Sequence, residues 1–125
     1  METKFNFNSQ ICTTREQSER LIALGLRKET ADMVYYRESS IHNWGILATP
    51  WRDDFEGSKW YYPAWSLNRL LLLIPREASI DGFTFPLRYD ALRHMNEADD
   101  MYEYIAGVLE RIIKEGYFNK EYLKK

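Results

Sequence analysis

The chain contains one cysteine, no long apolar run and little net charge. A single cysteine, Cys12, among 125 residues excludes an intrachain disulfide and makes the reducing cytoplasm the expected location. No apolar run approaches the roughly 20 residues of a membrane span, so we expect no membrane association. The opening METKFNFNSQ lacks the apolar core of a secretory signal, so we expect none. Seventeen Lys and Arg against nineteen Asp and Glu give a net charge of -2, which disfavours nucleic-acid binding.

Recognisable catalytic patterns are also missing. The chain has two histidines, His42 and His94, and neither belongs to a paired zinc-ligand pattern. There is no phosphate-binding loop, dinucleotide fingerprint or nucleophile elbow. The sequence therefore predicts no catalytic residue, no metal site and no cofactor, and it favours a protein that is not an enzyme.

The composition is that of a folded protein. Hydrophobic residues make up 45% of the chain and aromatic residues 15%, which is too much apolar content for intrinsic disorder. The length is typical of one domain, so we expect residues 1–125 to form a single globular unit.

Capping signals and apolar stripes predict three helices. The first begins after Thr13 or Thr14, where Thr13 and Glu16 fit a capping box, and it ends near Gly25. The second follows Ser66 and stops before Pro75, and its leucines on most sides predict a buried helix. The third and longest has a continuous apolar stripe from residue 98 to 113 and closes at a glycine.

Strand-like segments lie between these helices. Aromatic and β-branched content predicts strands at residues 33–37, 42–49 and 59–62, with the first two forming a hairpin. Alternating Phe83, Phe85, Leu87 and Tyr89 predict a further strand within residues 80–89, on an edge because Pro86 lacks a donor. The predicted fold class is α+β, with a small antiparallel sheet of three to five strands and about three helices, the longest at the C-terminus.

Three segments resemble a group of small proteins from Bacteroides-type gut anaerobes and their phages and mobile elements. They are TTREQSERLIALGLRKETADMVYY, PAWSLNRLLLLIP and VLERIIKEGYF, at residues 13–36, 63–75 and 108–118, and they cover a little under half of the chain. The group carries no established activity, so the resemblance assigns no role to any residue. It implies an intracellular accessory role in a mobile-element setting.

The most unusual feature is an aromatic-rich segment. All four tryptophans lie between residues 44 and 65, and alternation places Trp60 and Tyr62 on one strand face and Tyr61 on the other. We expect Trp51 to be the most exposed, since it follows a proline and precedes charged residues. Such rings either fill a core or form a binding surface. The candidate surface comprises Trp44, Trp51, Asp53, Asp54, Trp60, Tyr61 and Tyr62.

We expect this segment to serve a non-enzymatic interaction module that binds a protein partner or a second copy of the chain. The alternative is a small-ligand binder for a sugar or nucleotide, or an unrecognised enzyme, with Asp53, Asp54 or Glu56 as polar anchors. A third hypothesis, single-stranded nucleic acid stacked on the tryptophans, is opposed by the acidic balance.

Three further features each have a structural and a functional interpretation. Cys12 is either a small buried hydrophobe or a reactive thiol at a helix start. Asp99 and Glu103 either suit the dipole of the last helix or hold a divalent cation. Gly107 in the same helix is either simply tolerated or lets a partner backbone approach closely.

Overall fold

The computed structural model describes residues 10–124, in which helices alternate with two small antiparallel sheets. The helices are α1 (Arg15–Ala23), α2 (Leu67–Leu73), α3 (Leu87–Met95) and α4 (Met101–Glu115). The strands are β1 (Met33–Tyr36), β2 (Gly45–Leu47), β3 (Tyr61–Ala64), β4 (Ala78–Ile80) and β5 (Phe83–Phe85). The fold class is α+β and the longest helix lies nearest the C-terminus, as the sequence predicts.

Helix α1 begins with a capping box, one residue later than the Thr13–Glu16 box that the sequence suggests. The Thr14 hydroxyl accepts from the Gln17 backbone, and the Gln17 side chain accepts from the Thr14 backbone. Thr13 is unavailable as a cap because its hydroxyl is fully buried and bonded to Ser18. The helix ends before Gly25, whose φ of +98° favours glycine.

Helix α4 packs against the other helices around the main core. The middle of its predicted apolar stripe is buried, with Ile105 and Leu109 at 0% exposure, whereas Met101 near its start is 40% exposed. On α2 the predicted N-cap is present, since the Ser66 hydroxyl accepts from the Arg69 backbone. However, α2 is not buried on every side, because Leu72 is 52% exposed.

The three-stranded sheet has the order β2-β1-β3, so β1 lies in the centre. Tyr35 faces Ile46 of β2 and Tyr62 of β3 across antiparallel pairs, which confirms the predicted hairpin. The strand bounds differ from those predicted, since residues 42–49 yield only three strand residues and the third strand begins at Tyr61. Successive side chains alternate between the two faces, so this register decides which aromatic rings meet.

The prediction of a strand through Leu87–Tyr89 is wrong. Strands β4 and β5 form a hairpin closed by Asp81 and Gly82 at φ of +51° and +83°, and α3 begins immediately after Pro86. The apolar contacts of α3 follow a four-residue spacing, with Ala91 and Met95 buried. The alternation is therefore real only for Phe83 and Phe85 in β5, and its continuation to Leu87 and Tyr89 in α3 is a coincidence.

Candidate binding surface

A row of aromatic and cationic side chains crosses one face of the three-stranded sheet. The Arg37 backbone donates to the carbonyl oxygen of Trp60 at 3.2 Å, which extends the β1–β3 register by one pair. The Arg37 guanidinium carbon lies 4.4 Å from the centre of the Trp44 ring and 5.6 Å from that of Trp60. The central strand thus places one cation between two half-buried indoles.

Helix α1 adds a second cation to this face. The guanidinium carbon of Arg15 lies 4.6 Å from the Trp44 ring centre and 5.6 Å from that of Tyr62. The Trp44 ring therefore contacts two guanidinium groups. We call the surface formed by Arg15, Arg37, Trp44, Trp60 and Tyr62 the Arg37 face.

The Arg37 face carries positive charge that the described residues do not neutralise. Arg15, Arg37 and nearby Lys59 form no ion pair with any of residues 10–124, and Lys59 Nζ lies 4.8 Å from the Trp60 ring centre. Within the same residues the buried Arg37 Nε has no hydrogen-bond acceptor. Each cation–ring contact contributes about 0.5 to 2 kcal/mol, but none supplies the acceptor that a guanidinium N–H requires.

Two tyrosines support this face from the sheet. The Tyr35 hydroxyl donates to the Thr13 carbonyl oxygen at 2.8 Å, and its ring meets Trp44 edge-on at 6.4 Å. Burial raises the pKa of Tyr35, and burial together with nearby Glu19 raises the pKa of Tyr62 against the opposing effect of Arg15. Both hydroxyls therefore stay protonated at neutral pH.

Trp51 contradicts the prediction that it is the most exposed ring, because it is only 8% exposed. A 3₁₀ turn at Asp53–Phe55 folds the loop back, so that Trp51 and Phe55 pack with Val34 beneath the sheet. Phe55 also stacks on Tyr61 with ring centres 4.2 Å apart. The Trp51 indole N–H donates to Glu56, which completes a small second core on the face opposite Arg37.

The sheet therefore divides the predicted site into two groups. Trp44, Trp60 and Tyr62 lie together on the Arg37 face, as the alternation predicts for the last two. Tyr61 lies on the other face with Trp51, and Asp53 and Asp54 belong to the loop that covers it. Asp54 is bound by Arg52, whose hydrogen bond lowers the pKa of that carboxyl.

Sequence reasoning missed the two arginines that organise the surface. Arg37 carried a usable signal, since it follows Tyr35 by two positions in a predicted strand and so shares its face. Arg15 carried none, because it lies 29 positions before Trp44 and reaches the sheet only through the packing of α1 against β3.

The other candidate groups have structural partners. Cys12 is 1% exposed and burial raises the pKa of its thiol, so the structural interpretation fits and a reactive thiolate is disfavoured. Glu103 accepts from Arg20 and Gln17 instead of converging with Asp99. Within residues 10–124, no three His, Cys, Asp or Glu side chains are arranged to hold a metal ion.

The two histidines contact neighbours in their own segments. His42 Nδ1 lies 2.6 Å from the Ser39 hydroxyl, and His94 Nδ1 lies 2.8 Å from the Asp90 carbonyl oxygen. Both pairs are exposed local contacts. Ser39 and His42 are within hydrogen-bond distance, but no carboxylate among residues 10–124 hydrogen-bonds to the His42 ring, so the pair lacks the third group that orients a catalytic base.

Comparison of the chain with protein-family models, with curated proteins and with solved structures gives no match. Among the described residues no helix is both long and apolar enough to cross a bilayer.

Proposed function

We propose that this chain is a non-enzymatic interaction module that binds an acidic segment of a partner protein through the Arg37 face. The observation that carries the proposal is the contact of the Trp44 ring with the guanidinium groups of Arg15 and Arg37, neither of which forms an ion pair with a described residue. A carboxylate is the strongest hydrogen-bond acceptor for an unpaired guanidinium, and the half-buried Trp44 and Trp60 rings offer apolar contact to the side chains of a protein segment.

The surroundings of the face support a protein partner. Ile41, in the connection between β1 and β2, is 89% exposed, and Ile46 of β2 is 38% exposed. Aromatic, arginine and aliphatic side chains together are the composition of protein–protein contact regions. The overall charge of -2, with Glu19 beside Tyr62, works against a long polyanion such as nucleic acid more than against a short acidic segment.

The small-ligand alternative receives less support from the geometry. It required Asp53, Asp54 or Glu56 to orient a ligand stacked on the tryptophans. These carboxylates belong to the loop over the opposite face, where Glu56 is already bonded to Lys28 and Trp51. A ligand stacked on Trp44 or Trp60 would therefore contact Arg15, Arg37 or Lys59 and not the carboxylates that this alternative requires.

The sequence resemblance supplies the setting of the proposal. We place the module in the cytoplasm of a Bacteroides-type anaerobe, in an accessory role linked to a phage or mobile element. Its partner there is a protein with clustered Asp and Glu, and self-association through the same face is the competing form of the proposal.

Selection from a displayed library of random peptides tests the function directly. We expect the selected peptides to be rich in Asp and Glu beside an aromatic or aliphatic residue. Arg37→Ala is expected to weaken the best peptide by about tenfold or more, because a desolvated charge pair is lost. Arg93→Ala is the matched control, since Arg93 is exposed on α3 and away from the sheet.

The same measurements distinguish the proposal from its alternatives. Peptides without acidic enrichment, or equal affinity of the Arg37→Ala variant, would contradict the proposal. Tighter binding of single-stranded oligothymidylate than of any selected peptide would favour the nucleic-acid hypothesis instead. A dimer in light scattering that dissociates on Arg37→Ala would favour self-association over a separate partner.

A further inference from the structure

A groove lies outside the Arg37 face, lined by residues that follow α1, by residues of α2 and by the C-terminal segment. The groove, of about 910 Å³, runs between α2 and the C-terminal segment, which crosses back to pair with Leu26 through Leu123. Its size is within the range of small-molecule sites. The Arg37 face contributes no residue to its lining.

The lining is cationic although the chain as a whole is acidic. The lining contains two carboxylates, those of Glu29 and Glu121, and four cations, those of Arg27, Arg69, Lys120 and Lys124. Arg27 is bound to Glu29 at 3.0 Å, whereas Arg69, Lys120 and Lys124 form no ion pair within the part of the chain that the structure describes. The groove thus keeps an excess of positive charge for an anionic ligand, and phosphate suits arginine and lysine donors best.

Each side of the groove also carries an apolar or aromatic side chain. Leu72 of α2 is 52% exposed and Tyr122 is 36% exposed, and both line the same groove as the cations. An exposed leucine adds nothing to the core, but it offers contact to an apolar group in the groove. The Tyr122 ring provides a flat surface on which a planar group stacks.

From this juxtaposition we infer that the groove binds a nucleotide-sized molecule, with phosphate held by Arg69 and Lys120 and a planar or apolar part against Leu72 and Tyr122. This site is independent of the proposed interaction function, because the two surfaces share no residue.

Calorimetric titration of the full chain with ATP, AMP and inorganic tripolyphosphate tests the inference. We expect saturable binding of ATP that is weakened by about tenfold or more in Arg69→Glu, since charge reversal repels phosphate. Arg93→Glu, outside the groove, is expected to bind like the unaltered chain. The Arg69 side chain is exposed, so its substitution leaves the core intact, and circular dichroism verifies the fold.

The remaining probes separate the two halves of the site. Leu72→Ala should weaken ATP and leave tripolyphosphate unchanged, because only ATP has a planar part. Equal binding of ATP and tripolyphosphate, with no effect of Leu72→Ala, would overturn the assignment of Leu72 and Tyr122 to the planar part of the ligand. Absence of saturable ATP and AMP binding would overturn the whole site. Loss of ATP binding in Arg37→Ala but not in Arg69→Glu would move the ligand to the other surface and overturn it equally.

Discussion

Thr13 and Trp65 are joined by two reciprocal hydrogen bonds, although 52 positions separate them in the chain. The Thr13 backbone donates to the Trp65 carbonyl oxygen at 2.8 Å, and the Trp65 backbone donates to the Thr13 hydroxyl at 3.1 Å. Both residues are fully buried, and Ser18 shares the Thr13 hydroxyl. This junction fixes the start of α1 against the end of β3, and so it places Arg15 over the sheet.

Removing the Thr13 hydroxyl should therefore destabilise the whole fold. Thr13→Val leaves the buried Trp65 N–H without an acceptor, and we expect a loss of about 1 to 3 kcal/mol in the free energy of unfolding. Urea denaturation followed by circular dichroism measures it. Thr84→Val on exposed β5 is the matched control, with an expected change within about 0.5 kcal/mol. Equal values for the two variants would show that the junction is not stabilising.

Iodide quenching should divide the four tryptophans into two pairs. Trp65 and Trp51 are buried, at 0% and 8% exposure, whereas Trp44 and Trp60 are half-buried beside cations that attract the anionic quencher. We expect Trp44→Phe and Trp60→Phe to lower the quenchable fraction of the fluorescence. Trp51→Phe and Trp65→Phe should raise it, because they remove protected emission. Complete protection of all four rings would remove the surface on which the proposed function depends.

The sequence predicts most of this fold where the signal is local. Three correct predictions each depend on spacing within a single helix or strand segment. They are the stripe of α4, the Ser66 cap and the alternation of Trp60 with Tyr62. The exposure of Trp51 depends instead on a loop that folds back over Val34. No local sequence pattern encodes that contact. The neighbouring proline and charged residues therefore predicted that Trp51 is exposed, whereas it is buried.

The candidate site is only half predictable for the same reason. Alternation along the predicted strand places Arg37 and Tyr35 on one face, so Arg37 is predictable from the sequence. Arg15 approaches Trp44 only after α1 is fixed by the Thr13–Trp65 junction, which is a tertiary event.

Acid should weaken the contact between α1 and α4. Arg20 Nη1 lies 2.7 and 2.8 Å from the two carboxylate oxygens of Glu103, and this hydrogen bond, with a second from Gln17, holds the pKa of Glu103 below its ordinary value. A depressed folded-state pKa stabilises the fold at neutral pH, and this contribution is lost as the pH falls through that folded-state value. The side chains are 43% and 46% exposed, so solvent screening limits the effect to about 0.5 to 1 kcal/mol.

Glu103→Gln measures this contribution. The variant should be less stable than the unaltered chain at pH 7, and the difference should shrink as the pH falls below about 4.5, since the protonated carboxyl resembles the amide. Glu97→Gln is the control, because Glu97 is exposed and forms no ion pair within residues 10–124. Urea denaturation at pH 7 and at about pH 3 gives both differences. A difference that does not depend on pH would assign the effect to packing and not to the hydrogen bonds of the Glu103 carboxylate.

Gly107 and Gly116 of the last helical segment should respond oppositely to alanine. A Cβ at Gly107 meets nothing within 4 Å among the described residues, so Gly107→Ala should raise stability by about 0.5 to 1 kcal/mol through helix propensity. Gly116 has a φ of +83°, and Gly116→Ala should lower stability by about 1 to 2 kcal/mol because the left-handed conformation disfavours a side chain. Thermal unfolding and light scattering at several concentrations test both variants. If Gly107→Ala is more stable and its oligomeric state is unchanged, Gly107 is simply tolerated. Association that disappears in Gly107→Ala would instead show that a partner backbone requires the glycine.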